Sequence, residues 1–214
     1  MIALLDNPLF RVASFFVLVL LFQVAVAKFS LEKDTKRRCQ HALTGLALLQ
    51  ISYVLPLDIS IVALAAGCVA IAYVRHYQKE LYRKLFEPLL RPEELRDGAL
   101  PGAFYFLLGT MLTAFLFPLT YARYAVACLS LADPIASLVG KSISSPKITK
   151  NASLAGCLAS FLTALLLGIV AFNLPTQSTI IGSLACSITE AFPVLNDNLS
   201  IPIVTAAAVV LTLD

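Results

Sequence analysis

Long apolar runs dominate this sequence and restrict what the chain can fold into. From the clearest to the weakest, the runs are 12–27, 59–74, 102–119, 122–140, 152–172, 42–55, 177–194 and 199–213. A helix needs roughly 17–25 mostly apolar residues to cross a bilayer. The chain is 59% hydrophobic and 14% charged, whereas soluble domains average about 45–50% and 25%. We therefore expect an all-α, polytopic transmembrane bundle of about seven or eight spans, forming one membrane domain over residues 1–214.

The positive charges lie almost entirely in three loops between these runs. The Lys28–His41 loop carries five Lys and Arg residues, the Arg75–Leu100 loop six and the Lys141–Asn151 loop three, and only Arg11 and Arg123 lie elsewhere. With eight spans, the three basic loops share one face of the membrane. Because short basic loops stay in the cytosol, this face is predicted to be cytosolic, with both termini on the opposite side.

The first apolar run has a second interpretation, as a secretory signal. The small residues at 24–27 resemble a cleavage site, but the segment before the run contains Asp6 and a single cation, Arg11. Removing this run would also place the basic loops outside the cytosol, against the positive-inside rule. We therefore expect an uncleaved first helix.

The 75–100 loop has a helical pattern of its own. Its cations alternate with tyrosine and leucine residues at helical spacing. Such a pattern is typical of a helix that lies along the headgroups. We expect a cytosolic amphipathic helix here.

Several familiar nucleotide and metal motifs are missing from the sequence. There is no Walker motif, kinase glycine loop or G-x-G-x-x-G segment. The five cysteines are odd in number and form no C-x-x-C pair, so neither a disulfide framework nor a zinc site is indicated. Any nucleotide chemistry must therefore use a membrane-embedded design.

Asp133 is an acid inside an otherwise apolar run. An acid at membrane depth is energetically expensive and is a functional-site candidate. Pro134 is expected to break or kink the helix there, and Gly140 and Lys141 follow. This combination suits a metal–phosphate site. The alternative is a helix cap, or a buried acid paired with a neighbouring cation.

Two further polar groups are predicted to reach the same face. Glu190 lies inside an apolar run, before the turn residues that include Asp197 and Asn198. Arg37 and Arg38 directly precede an apolar run. Neighbouring guanidinium groups can clamp phosphate oxygens, or they can simply extend toward anionic headgroups.

Taken in order, these segments resemble the CTP-dependent lipid kinases, the group that includes diacylglycerol, dolichol and phytol kinases. The matching segments are 37–41 (R-K-x-x-H), 95–109 (a glycine- and aromatic-rich helix start), 130–140 (G-D-x-x-A-x-x-x-G), 153–159 (S-x-E-G-S-x-A) and 190–202 (E…D-N…P). Together they cover residues 36–206 or so. The chain departs from the family pattern at four positions: Arg38 for lysine, Ala132 for glycine, Ala155 for an acid and Cys157 for serine.

The resemblance implies transfer of the CTP γ-phosphate to a lipid hydroxyl, with Mg²⁺ or Ca²⁺ as cofactor. It assigns Asp133 to metal binding or to accepting the hydroxyl proton, and Glu190 and Asp197 to further base or metal roles, with Asp133 and Asp197 as the metal ligands. The residues it assigns to the nucleotide and its phosphates are Arg37, Arg38, His41, Gly140, Lys141 and Asn198.

Within the group, segment 90–94 and the short chain look closest to the diacylglycerol kinases, whose product is phosphatidate. The alternatives are a dolichol or phytol kinase, a phosphatidate cytidylyltransferase, and a catalytically impaired homologue or transporter, which Ala155 would favour. The resemblance also implies the endoplasmic reticulum or nuclear envelope, with the active face cytosolic. The expected partners are CTP and a membrane lipid, without nucleic acid, and the oligomeric state is left open.

Overall fold

The computed structural model describes residues 17, 21–22, 32–86, 90, 94 and 98–213. Between Glu32 and Leu213 the described residues form eight α-helices. They are α1 (Lys33–Ile51), α2 (Leu57–Tyr77), α3 (Lys79–Phe86), α4 (Gly102–Leu116), α5 (Leu119–Ser142), α6 (Leu154–Leu166), α7 (Thr176–Ala191) and α8 (Asp197–Val210). A π-helical turn, Leu167–Ala171, continues α6. The predicted first span, 12–27, lies almost entirely outside the described residues, as does most of segment 90–94.

Three helices of the described residues are long and apolar enough to cross a membrane. They are α2, α5 and the combined helix Leu154–Ala171, while α4 and α8 are shorter apolar helices. The expected all-α helical membrane bundle is confirmed.

The first described helix begins earlier than the apolar run that predicted it. α1 begins at Lys33, whereas the apolar run begins at residue 42. The basic segment before residue 42 is therefore part of the helix, and the helix sets the directions in which its side chains point.

Proline and polar caps begin most of these helices. Pro56, Pro101, Pro118 and Pro175 directly precede α2, α4, α5 and α7, where the missing proline N–H costs nothing. Ser153 and Asn196 cap α6 and α8 through side-chain oxygens that accept backbone N–H groups. Ser153 and Asn196 thus set where α6 and α8 begin.

Of the break or kink predicted at Pro134, the break does not occur, because α5 continues from Leu119 to Ser142 through this proline. Proline inside a helix costs about 3 kcal/mol or more. The burial of α5 offsets that cost, since α5 packs against α1, α6 and α8, and Tyr124, Cys128 and Leu129 on its surface are fully buried. Tertiary packing therefore overrides the local preference.

Small residues bring α5 and α6 close together. A Cβ atom added to Gly156 would lie 2.7 Å from the carbonyl oxygen of Ala136. Farther along the pair, the Tyr124 hydroxyl donates to the carbonyl oxygen of Ala164 at 3.2 Å. Close approach through small residues is typical of helix pairs in membranes. The pairing fixes the helix that carries Asp133.

Candidate active site

A polar cavity of about 450 Å³ lies where the ends of α1, α5, α6, α7 and α8 meet. Its volume falls within the roughly 300–1,000 Å³ of small-molecule sites. The charged side chains around it are Asp34, Arg37, Arg38, Asp133, Lys141, Lys147, Lys150, Glu190 and Asp197. We call it the polar cavity. Its five cations and four acids come from segments that are far apart in the sequence.

Asp34 connects three of these cations. Its carboxylate accepts hydrogen bonds from Arg37 Nη2 and Arg38 Nε, both at 2.9 Å. The two arginines follow Asp34 by three and four positions, so all three side chains lie on one face of α1. Lys141, from the end of α5, donates to Asp34 Oδ2 at 2.7 Å. The cations are thus held in a defined arrangement at the cavity wall.

The charge state of Asp34 follows from these contacts. Partial burial raises the pKa of Asp34, but the hydrogen bonds from Lys141, Arg37 and Arg38 outweigh it and hold the pKa well below its ordinary value of 3.8. Asp34 is therefore ionised at any physiological pH. It cancels part of the positive charge that the cavity presents to an anion.

Asp133 lies deeper, on the buried side of α5, with 7% of its surface exposed. Its Oδ2 is 4.0 Å from His41 Nε2. The same Nε2 lies 3.1 Å from the carbonyl oxygen of Leu129. Because a carbonyl oxygen only accepts, Nε2 carries a hydrogen and donates it. The His41 and Phe106 rings also pack edge to face, with centroids 4.8 Å apart.

Glu190 and Asp197 complete the acidic side of the polar cavity. The Glu190 carboxylate is close enough to those of Asp133 and Asp197 for its charge to interact with both. Glu190 Oε2 is buried and has no hydrogen-bond partner among the described residues. A buried carboxylate oxygen without a donor is costly unless a proton or a cation satisfies it. The arrangement therefore favours a cation or a donor-bearing ligand beside Glu190.

The loop between α5 and α6 folds back over the cavity. The Ser153 hydroxyl donates to the carbonyl oxygen of Gly140 at 3.4 Å and accepts the N–H of Gly156 at 3.3 Å. A Cβ atom on Gly140 would lie 2.8 Å from Ser153 Oγ, so the absence of a side chain at position 140 lets Ser153 lie close to α5. The fold-back brings Lys147 and Lys150 to the cavity wall.

Most of the residues predicted from the sequence meet in the polar cavity. Those that line it are Arg37, Arg38, Asp133, Gly140, Lys141, Glu190 and Asp197. His41 and Asn198 instead line a second, mainly apolar cavity of about 350 Å³, and Arg37 lines both. The sequence-based assignments missed Asp34, Lys147, Lys150 and Ser153. Asp34 precedes the arginine pair by three and four positions, and this helical spacing could have identified it as their partner. Lys147, Lys150 and Ser153 lie in or beside a loop, and their positions at the cavity depend on the fold.

The acidic residues fit a divalent cation only in company with a phosphate ligand. Within the described residues no group of three or more His, Cys, Asp or Glu side chains is arranged to hold a metal ion. Magnesium usually takes one or two carboxylates and completes its shell with water and substrate phosphates. Asp133 and Asp197, which both line the polar cavity, are two carboxylates of this kind.

Comparisons with known proteins point in the same direction as the sequence motifs. The chain is 34% identical over 145 residues to a CTP-dependent diacylglycerol kinase of Schizosaccharomyces pombe, covering 59% of this chain and 66% of that protein, just under two thirds. It is 29% identical over 142 residues to an uncharacterised protein of Rickettsia prowazekii, covering 61% of this chain and 69% of the relative. No family model and no solved structure matches the chain. The similarity to a diacylglycerol kinase supports the lipid kinase family that the motifs resemble.

Proposed function

We propose that this protein transfers the γ-phosphate of CTP to the hydroxyl group of a membrane lipid alcohol, with diacylglycerol as the acceptor and phosphatidate as the product. The observation that carries the proposal is the shared cavity. Asp133, Glu190 and Asp197 line it together with Arg37, Arg38 and Lys141. The similarity to the fission yeast enzyme supports CTP as the donor and a lipid as the acceptor.

The cations supply what phosphoryl transfer requires of a protein. The reaction depends mainly on positioning and on stabilising charge spread over the phosphate oxygens. Arg37 and Arg38 offer planar, forked donors that match phosphate oxygens, and Lys141 adds a compact charge from the facing helix. Together they hold the triphosphate against the acidic side of the cavity.

The acids act on the other side of the transferring group. The lipid oxygen forms a bond to the γ-phosphorus while the bond to the β–γ bridging oxygen breaks, and CDP leaves. Asp133 either accepts the hydroxyl proton or holds a divalent cation together with Asp197. Such a cation, Mg²⁺ or Ca²⁺, would neutralise charge on the phosphate oxygens when bound. Glu190, with its unsatisfied buried oxygen, lies beside both.

The location proposed for this chemistry is the cytosolic face of the endoplasmic reticulum or nuclear envelope. Arg37, Arg38 and Lys141 belong to loops or helix ends that the positive-inside rule assigns to the cytosol. Soluble CTP reaches that face, while the lipid acceptor stays in the bilayer. We also propose that residues 1–214 form one membrane domain with the spans predicted from the sequence, including 12–27.

The test uses the full chain purified in detergent–lipid micelles. Diacylglycerol, dolichol and phytol are each offered with γ-labelled CTP and a divalent cation, and the products are separated. The expected result is labelled phosphatidate with CDP, and little label with ATP. Release of pyrophosphate instead of CDP would identify a cytidylyltransferase, and no turnover of CTP with any acceptor would reject the kinase.

Two variants connect the activity to the cavity. Asp133→Asn keeps the shape of the side chain and removes its charge, and we expect kcat to fall by about 100-fold or more. Asp58→Asn is the matched control, because Asp58 is an exposed acid at the start of α2. Full activity of Asp133→Asn in a folded protein would remove Asp133 from the mechanism.

A further inference from the structure

The second cavity adjoins the polar cavity but differs from it in character. It lies between α1 and α4, and its apolar wall includes Leu90, Ala103, Phe106 and Leu107. Its volume is about 350 Å³, and Arg37 is common to both cavities. A cavity with apolar walls and a few polar groups is the usual form of a site for a largely apolar ligand. We call it the apolar cavity.

His41 forms the link between the two cavities. Its ring lines the apolar cavity, while its Nε2 lies 4.0 Å from Asp133 Oδ2, and Asp133 lines the polar cavity. The Leu129 carbonyl oxygen, 3.1 Å from Nε2, fixes the hydrogen on that nitrogen. In the neutral ring Nδ1 then carries the lone pair and accepts hydrogen bonds. His41 is thus placed where the apolar cavity comes nearest to Asp133.

We propose that the apolar cavity binds the lipid alcohol, with the hydroxyl group beside His41 and directed toward the polar cavity. This inference rests on the proposed function and deepens it. The acyl chains contact Phe106 and Leu107 and leave toward the bilayer, while the hydroxyl is the one group of the lipid that needs an acceptor. His41 is accordingly an alcohol-binding residue and not a phosphate ligand.

The chemistry of transfer follows from this placement. The lipid oxygen reaches the polar cavity beside Arg37, which lines both cavities. As this oxygen bonds to the γ-phosphorus, its proton passes to the acidic side of the polar cavity, as in the proposed function, and CDP leaves with the electrons of the broken bond. His41 positions the alcohol for this step and is not the proton acceptor.

The first test fills the apolar cavity. Ala103 lines this cavity and is exposed, so Ala103→Trp adds bulk there with little strain on the core. We expect the KM for a short-chain diacylglycerol to rise by about tenfold, with the KM for CTP changed less than about twofold. Ala114→Trp is the control, since Ala114 is on the same helix and lines a third cavity between α1, α2 and α4. A rise in the KM for CTP without one for the lipid would overturn the assignment.

The second test separates the roles of His41. His41→Gln keeps hydrogen-bonding capacity but not the ring, and we expect the KM for the diacylglycerol to rise by about tenfold while the CTP-dependent increase in Tm is retained. If the variant loses the CTP-dependent increase in Tm while the KM for the lipid is unchanged, His41 binds phosphate and not the alcohol.

A third test does not depend on turnover. A photoactivatable diacylglycerol is crosslinked to the wild-type protein in micelles, and the labelled peptides are identified by mass spectrometry. We expect label within residues 40–44 or 101–107, and competition by unlabelled diacylglycerol. Label confined to other segments would reject the apolar cavity as the lipid site even in an active kinase. Correct labelling in a protein that does not use CTP would reject the proposed function instead.

Discussion

Lys141 donates a hydrogen bond to Asp34 across 2.7 Å, although 107 positions separate the two residues in the chain. Asp34 also accepts from Arg37 and Arg38, so one carboxylate ties the basic turn of α1 to the end of α5. The three donors are those that the proposed function assigns to the triphosphate. On that proposal, a bound triphosphate would compete with Asp34 for the same cations.

The competition predicts an unusual effect of removing an acid. Asp34→Asn keeps the size of the side chain but removes its negative charge, and we expect CTP to bind about three- to tenfold more tightly at low salt because charge repulsion is lost. Calorimetric titration with CTP at two salt concentrations measures this, with Asp58→Asn as control. Weaker binding would instead show that Asp34 is needed to position the cations.

The depressed pKa of Asp34 predicts how stability depends on pH. Since the pKa is lower in the folded chain than its ordinary 3.8, ionised Asp34 stabilises the folded state above about pH 3.8, and this contribution is lost as the pH falls through the folded pKa. We expect the Tm difference between the wild type and Asp34→Asn to stay constant from about pH 7 to 5 and to shrink below about pH 4. Thermal melts in detergent across this range provide the measurement. A difference that already closes at pH 6 would assign the stabilisation to another group.

Lys141 offers a direct test of phosphate binding. Lys141→Gln removes a cation whose side chain is half exposed at the cavity wall, and we expect the Kd for CTP to rise by about tenfold, with a weaker dependence on salt. Lys79→Gln, an exposed lysine on α3, is the matched control. Equal effects of the two substitutions would mean that only the overall charge of the protein matters.

The order of apolar runs and acids predicted the helical bundle and most of the polar cavity, because span length and the cost of a buried acid are local properties. Other features depend on packing between distant segments. The apolar run gave no sign that α1 begins at Lys33, and the burial of α5 explains why Pro134 does not break it. That His41 lines the apolar cavity follows from the placement of α1 and α4 on either side of it, which no motif encodes.

The α5–α6 contact makes a prediction about stability. A Cβ atom at position 156 would lie 2.7 Å from the backbone oxygen of Ala136, and a backbone atom cannot rotate away. Gly156→Ala is therefore expected to cost about 1–3 kcal/mol in the free energy of unfolding, seen as a lower Tm in detergent. Leu158→Ala, on the exposed side of α6, should change Tm much less. An unchanged Tm for Gly156→Ala would mean that the two helices separate more easily than their packing suggests.

Ala155 stands where the resembling family carries an acid, and its position indicates what restoring that acid would do. Its backbone N–H donates to Ser145 Oγ at 3.0 Å in the first turn of α6, and neither the polar nor the apolar cavity includes it among its lining residues. A glutamate there would interact favourably with the N-terminus of the helix but would lie outside the proposed reaction centre. We expect Ala155→Glu to raise Tm slightly and to change kcat by less than about threefold. A gain in kcat of an order of magnitude or more would instead show that this position reaches the nucleotide, and that Ala155 limits the activity of the natural chain.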